Sequence, residues 1–435
     1  MSTLDSRSSR RAGVLVFFTV ATLYFGWVIA RFGINTPPST SGDESSYDSI
    51  AWELSHGRGY AIDYADAEFR EPYDRAAQQN AELFFLPMAT VGTVAYRPPL
   101  IPVAVSIANR LLGRQHYFLR ILNIIAMAAT IGLIVWYLCS TVGWQVAAVI
   151  TILFLVDVRS RLYARALLTE SVSCLLCTLL AIALFSYSEN GRLKTIAVCG
   201  ACLGLSILAR SIAILWAPGI AFTVLLIAAR VHKKRWLRSA GISILFCFCT
   251  VAVLSPWAIR NVVLLQTFAP MGTQGLMELS AGYSDIAYNN YGVWQNVDAA
   301  EFFDKDAFKN LSGYTQELEI ARQSKGKAFA WIRANTGRLP ALAAMKVVSE
   351  FRPNDIAACI VMLFAAVGAA CSIRNRDTQI MLALLLANTT AIAVTWSVEG
   401  RFLVPQLFCF YVLAGMGFQS CLTWLRSAFR ERTAS

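Results

Sequence analysis

Apolar runs of about twenty residues recur along the whole of this 435-residue chain, each long enough to cross a hydrocarbon core about 30 Å thick as a helix. Ten are expected as spans: 12–32, 118–140, 142–158, 169–187, 194–210, 211–229, 238–258, 355–373, 377–397 and 402–425. With 56% hydrophobic residues and only 15% charged, the chain is not a water-soluble globule. The expected fold is an all-α polytopic membrane protein. Its net charge of +11 reflects Lys and Arg between spans, the excess found on cytoplasmic loops, so no nucleic-acid partner is implied. The first span follows Arg7, Arg10 and Arg11 without a small-residue cleavage site and reads as an uncleaved signal anchor.

Residues 98–112 are apolar but short and interrupted by Pro102, Asn109 and Arg110. If they crossed the membrane, the basic run from Arg230 to Arg238 would face outward, against the positive-inside tendency. They are therefore expected to lie along the membrane surface. Both termini then face the cytoplasm, and two large loops, 33–117 and 259–354, face the other side. The chain divides into an N-terminal transmembrane module (1–258, including the first loop), the second loop (259–354) and a C-terminal part with a cytoplasmic tail (355–435). Apolar spacing at Tyr47, Ile50, Ala51 and Leu54 predicts a helix over 44–56, and a second amphipathic helix is expected over 327–350. Internal repeats and inverted halves are absent from the sequence, which argues against a secondary transporter.

All eleven cysteines fall in apolar spans, so a disulfide framework in the loops is excluded. Cys174–Cys177 and Cys199–Cys202 have C-x-x-C spacing but no histidine beside them and read as packing residues. The three histidines, His56, His116 and His232, are too scattered for a metal centre. Gly200 and Gly204 fit close helix packing.

On this topology Asp43, Glu44, Arg97, Arg159, Arg161, Arg165, Glu170, Arg210, Arg260, Glu399 and Arg401 all face the outer side. Ionisable groups at membrane depth are costly and mark substrate paths, and converging guanidinium groups suit a phosphate. Arg159, Arg161 and Arg165 read more simply as snorkelling to water. Ser41-Gly42-Asp43-Glu44 also fits a capping box, so helix capping competes with chemistry there. Glu170 opens a span, where a cap and a contact with an acceptor are equally good readings.

Four stretches, in order, carry a family resemblance. They are Asp43-Glu44-Ser45-Ser46-Tyr47, Tyr96-Arg97-Pro98-Pro99-Leu100, Ser255-Pro256-Trp257-Ala258-Ile259-Arg260-Asn261 with Pro270 to Gly275, and Gly400-Arg401-Phe402-Leu403-Val404-Pro405. The chain resembles the polytopic C-type (GT-C) glycosyltransferases, particularly protein O-mannosyltransferases and lipid A aminoarabinose transferases. That resemblance implies a polyprenyl-phosphate sugar donor and inversion at the anomeric carbon. It casts Asp43 as the catalytic base with Glu44 in support. Arg97 would hold the donor phosphate, with Arg260 and Arg401 as further phosphate or structural contacts; apart from the resemblance, Glu170 and Tyr47 are candidate acceptor contacts. The charged insert from Asp63 to Asn80 departs from the family pattern. No divalent metal or other cofactor is implied.

The expected activity is a glycosyltransferase of the bacterial inner membrane with a periplasmic site, acting on a lipid, protein or glycan acceptor. A polysaccharide ligase or polymerase, and a transporter or flippase of lipid-linked sugars, are the alternatives. The first would place its main catalytic loop late in the chain, and the second would carry charges in mid-span.

Overall fold

The computed structural model describes residues 8–32, 37–40, 42–86, 91–295 and 302–434, and each of the ten apolar runs forms a helix in it. After α1 (Ser8–Phe32), the first loop holds α2 (Glu44–Ser55), β1 (Ala61–Asp63), α3 (Ala67–Ala77), α4 (Ala81–Phe84), β2 (Val91–Thr93) and α5 (Leu100–Leu112). A block of helices follows: α6 (His116–Thr141), α7 (Trp144–Val156), α8 (Val158–Arg165), α9 (Glu170–Asn190), α10 (Leu193–Ala209), α11 (Ala217–Val231) and α12 (Trp236–Leu265). The second loop carries α13 (Gln274–Met277), α14 (Leu279–Gly282), α15 (Asp285–Asn289), α16 (Gly313–Ala334) and α17 (Leu339–Glu350). Three helices, α18 (Ile356–Cys371), α19 (Arg376–Val394) and α20 (Leu407–Ala434), close the chain.

Seven segments among the described residues are long and apolar enough to cross a membrane: Gly13–Arg31, Arg120–Thr141, Glu170–Asn190, Ser211–Val231, Trp236–Leu265, Arg376–Val394 and Arg401–Glu431. The other three expected spans are the shorter helices α7, α10 and α18, of 13, 17 and 16 residues. Each packs along a longer neighbour. α10 lies against α12 because Gly200 and Gly204 leave no room for a side chain: a Cβ at Gly200 would sit 2.6 Å from the Phe246 carbonyl oxygen.

Three sequence expectations change in detail. The helix expected over 238–258 continues through Pro256 to Leu265, past the boundary placed at 258. Its 30 residues span about 45 Å, so its end projects beyond a hydrocarbon core about 30 Å thick. The single helix expected over 327–350 is two, α16 and α17, joined by a short 3-10 turn at Thr336–Arg338. Pro340 explains the break, since it fits the first turn of a new helix but not the interior of a continuous one. Arg159, read as snorkelling, is instead buried and paired with Asp157 at 3.1 Å; the Tyr411 hydroxyl donates to the same carboxylate at 2.8 Å.

The segment 98–112 forms α5, whose 13 residues span about 20 Å, too little to cross. Val103, Ile107 and Leu111 are exposed along one face, while Ile101, Val105 and Asn109 are buried on the face toward α2. This is the pattern of a helix lying at the membrane surface.

Tyr64, Phe69 and Tyr73 of the charged insert pack with Trp52 of α2, Tyr60 and Ile62 in a small, largely aromatic core. The antiparallel pairing of β1 with β2 closes it. Arg114 pins this unit from the start of the helix block, 2.5 Å from the buried Asp48 carboxylate and stacked over Phe69.

Candidate active site

The acidic motif begins α2, with Asp43 at the N-cap. Its side chain makes no capping hydrogen bond. The capping-box reading depended on Ser41, which lies outside the described residues. The Asp43 carboxylate instead sits between two guanidinium groups, Arg97 Nη1 on Oδ1 at 2.8 Å and Arg401 Nη2 on Oδ2 at 2.8 Å. Arg401 also pairs through Nε with Glu170, and Glu170 pairs with Arg210. The result is an unbroken chain, Arg97–Asp43–Arg401–Glu170–Arg210, of three cations and two anions. Its burial is graded. Glu170 is sealed, Arg210 is nearly so, and the Asp43 and Arg401 side chains keep 24% exposure.

Each member is held by a different element. Pro98 and Pro99 end the extended stretch after β2 and start α5, fixing the backbone at Arg97. The Tyr60 hydroxyl donates to the carbonyls of Arg97 (3.0 Å) and Pro98 (3.2 Å), locking the motif from the other side. The Arg97 guanidinium stacks over the rings of Tyr96 and Tyr47. Glu170 is the first residue of α9, where the helix dipole favours a carboxylate. Arg401 comes from the turn between α19 and α20. Glu350, at the end of α17, holds that turn by accepting from the Phe402 and Val398 backbone N–H groups (2.6 and 2.7 Å) and the Ser397 hydroxyl (2.9 Å). Arg210 stacks over Phe402.

The electrostatics follow from this clamp. Burial by itself would raise the Asp43 carboxyl, but Arg97 and Arg401 outweigh it and hold it well below the usual carboxylate range. Burial pushes the Tyr47 phenol up to about 12, against the pull of Arg97. The Glu44 carboxyl is raised by burial, opposed by Arg120 and by backbone hydrogen bonds from Leu167 and Ser39. The neighbouring Asp43 carboxylate adds to the rise.

Arg260 is not in the charge chain. Because α12 continues past Pro256, Arg260 lies on a helix and reaches the Val94 carbonyl at 2.8 Å and Asn261 Oδ1 at 2.8 Å. It also stacks over Tyr60 and Trp257. It braces the first loop two residues before the motif. The Pro270–Gly275 segment completes the brace: Gly272, at φ +83°, lies so close to Ala95 that a Cβ would meet its carbonyl oxygen at 1.9 Å. Buried Glu317 on α16 accepts from Ala95 N–H at 3.0 Å and Thr273 Oγ1 at 2.7 Å. Burial pushes the Glu317 carboxyl up to about 7.

Sequence reading found Asp43, Arg97, Glu170 and Arg401, and the structure joins all four. Arg210 was noticed only as an outward charge, and Glu350 and Glu317 were missed. A carboxylate at the C-terminal end of α17 opposes the helix dipole and needs donors from elsewhere, which was the one available signal for Glu350.

The family model for dolichyl-phosphate-mannose-protein mannosyltransferases matches residues 96–259, well under half of the chain. The match begins at the Tyr96-Arg97-Pro98-Pro99 motif and includes Glu170 and Arg210. Over this segment the chain is similar to that family. Asp43, Arg260 and Arg401 lie outside the matched residues. No curated protein sequence matches the chain. Among solved structures, ArnT from Cupriavidus metallidurans bound to undecaprenyl phosphate is similar at 13% identity, with 94% of this chain and 78% of that one covered and a TM-score of 0.41. The apo state of ArnT from the same organism gives 14% identity, 94% and 77% coverage and a TM-score of 0.35.

Proposed function

We propose that the chain transfers a sugar from a polyprenyl-phosphate donor to an acceptor at the membrane face carrying Asp43. The observation that carries this reading is the Asp43 carboxylate clamped between Arg97 and Arg401. Three guanidinium groups against two carboxylates leave a net positive site at helix ends, suited to a phosphate with a lipid tail. Arg97 and Arg401 would turn to the phosphate of the donor, and Glu170, braced by Arg210, would position Arg401.

The clamp also bears on the base. A carboxylate held by two guanidinium groups is a weak proton acceptor. A donor phosphate competing for Arg97 and Arg401 would loosen that hold and raise the proton affinity of Asp43 when the acceptor needs it. The acceptor oxygen then attacks the anomeric carbon from the face opposite the phosphate, inverting it. The bond from that carbon to the phosphate oxygen breaks with its electron pair, and polyprenyl phosphate leaves. The acceptor proton passes to Asp43. Charge growing on the leaving phosphate strengthens its pairing with the arginines, which lowers the barrier as well as binding the donor. No metal ion is assigned a step, because the arginines supply the positive charge. The proposed site faces the periplasm of a bacterial inner membrane.

The test is direct transfer. Purified protein is incubated with a panel of radiolabelled polyprenyl-phosphate sugars and membrane acceptors, beside Asp43→Asn. One donor should be consumed by the unaltered protein and not by the variant. Near-normal transfer by Asp43→Asn would sink the assignment of the base, and consumption of no donor would sink the reaction.

A further inference from the structure

A cavity of about 340 Å³ opens between α9, α11 and α19 at the end of the bundle away from Asp43. α9 shows the separation, because it places Glu170 in the charge chain and Glu189 at the cavity. Those nineteen positions correspond to about 28 Å of helix, close to the thickness of a hydrocarbon core at about 30 Å. The cavity therefore sits at the opposite membrane–water boundary, beside the basic run Arg230 to Arg238.

The cavity has a polar rim and an apolar wall. Arg230 and Arg376 line the rim, and Arg230 Nη1 donates to Gln379 Oε1 at 2.5 Å, which steadies it there. Arg376, the first residue of α19, has no hydrogen-bond or ion-pair partner among the described residues. Glu189 lines the same rim, and among the described residues it forms no salt bridge with either arginine. Leu226 and Ile380 form part of the wall that leads from the rim toward the membrane interior. Two cations, one separate anion and an adjoining apolar wall make a mixed set of demands. A free phosphate would satisfy the arginines but leave the Glu189 carboxylate and the wall without partners. A headgroup bearing only negative charge would meet Glu189 unfavourably. A phosphate, a primary ammonium and a hydrocarbon tail in one molecule satisfy all three.

We propose that this cavity is a binding site for a phosphoethanolamine phospholipid. Arg230 and Arg376 hold its phosphate, Glu189 pairs with its ammonium, and an acyl chain lies along Leu226 and Ile380. The site is separate from the proposed transfer chemistry and stands whether or not that reading holds.

Delipidated protein in detergent is titrated with phosphatidylethanolamine, phosphatidylglycerol and inorganic phosphate, and binding is read by native mass spectrometry. Phosphatidylethanolamine should bind more tightly than phosphatidylglycerol. Each of Arg230→Ala and Arg376→Ala should weaken it about tenfold, the effect of a lost charge-assisted contact. Glu189→Gln should abolish the preference between the two lipids. Leu226→Trp, which fills the wall without touching a charge, should block lipid while the protein still elutes as a single species. Equal binding of the two lipids by the unaltered protein would overturn the proposal. So would retention in the double arginine variant, or complete displacement by inorganic phosphate, which would mark a simple anion site.

Discussion

Two buried ion-pair systems in this molecule contain similar groups and differ in how they are closed. Asp157 and Arg159 are two residues apart, at the break between α7 and α8, and Asp157 also caps α8 by accepting from the Arg159 N–H at 2.8 Å. Tyr411 takes the second carboxylate oxygen, and the two charged side chains are 0% and 3% exposed. That system uses its charge on itself. The chain from Arg97 to Arg210 is assembled from distant segments, Asp43 and Arg401 lying 358 positions apart. It carries one more cation than anion and stays partly open at Asp43 and Arg401. Burying charge is costly in both places, but only the second leaves charge over for a ligand.

Substitutions should separate the two. Asp43→Asn should lower transfer by roughly a hundred- to ten-thousand-fold, the range for losing a positioned base, with little change in thermal unfolding. Asp157→Asn should do the reverse, because it strands the Arg159 guanidinium at a cost of about 3–5 kcal/mol. A lower unfolding temperature with near-normal transfer per folded molecule is the expected result. If Asp157→Asn instead removed activity from a stable protein, the division between the two systems would fail.

Arg401→Ala should lower turnover by about a hundred- to a thousandfold, as for loss of one group facing a developing oxyanion, and should weaken donor binding. Kinetics at saturating donor distinguish the two effects. Tyr60→Phe should be milder, since it removes a clamp on the Arg97 and Pro98 carbonyls worth about 1 kcal/mol. It should raise KM more than it lowers kcat, and an unchanged KM would show that Arg97 is held without it.

The smallest expected effect is on pH dependence. The Glu317 carboxyl is raised by burial from 4.5 to about 7 in the folded protein. Its stabilising contribution is therefore complete below pH 4.5 and is lost as pH rises through about 7. Thermal unfolding between pH 5 and 8 should show this decline, and Glu317→Gln should flatten it. An identical slope in the variant would assign the titration to another group.

Much of the scaffold was legible because its rules are local. A run of apolar residues long enough for the bilayer becomes a helix wherever it lies in the chain, since the backbone must satisfy its own hydrogen bonds there. Pro98-Pro99 and the spacing around Tyr47 likewise marked α5 and α2 from neighbouring residues alone. Element ends were less legible. The span expected to end at 258 continues as α12 to Leu265, and that places Arg260 on a helix facing Val94 instead of in the charge chain.

The sequence by itself determined an all-helical membrane protein and singled out Asp43, Arg97, Glu170 and Arg401 as charges needing a reason to be where they are. Only the tertiary structure decided their partners. It showed that Asp43 is clamped and not capping, that Arg210 braces Glu170, and that Glu350 aims the turn bearing Arg401. The physical reason is one of range. Crossing a membrane is decided within twenty consecutive residues, whereas the pairing of charges depends on how far each helix is rotated and where it ends against the others.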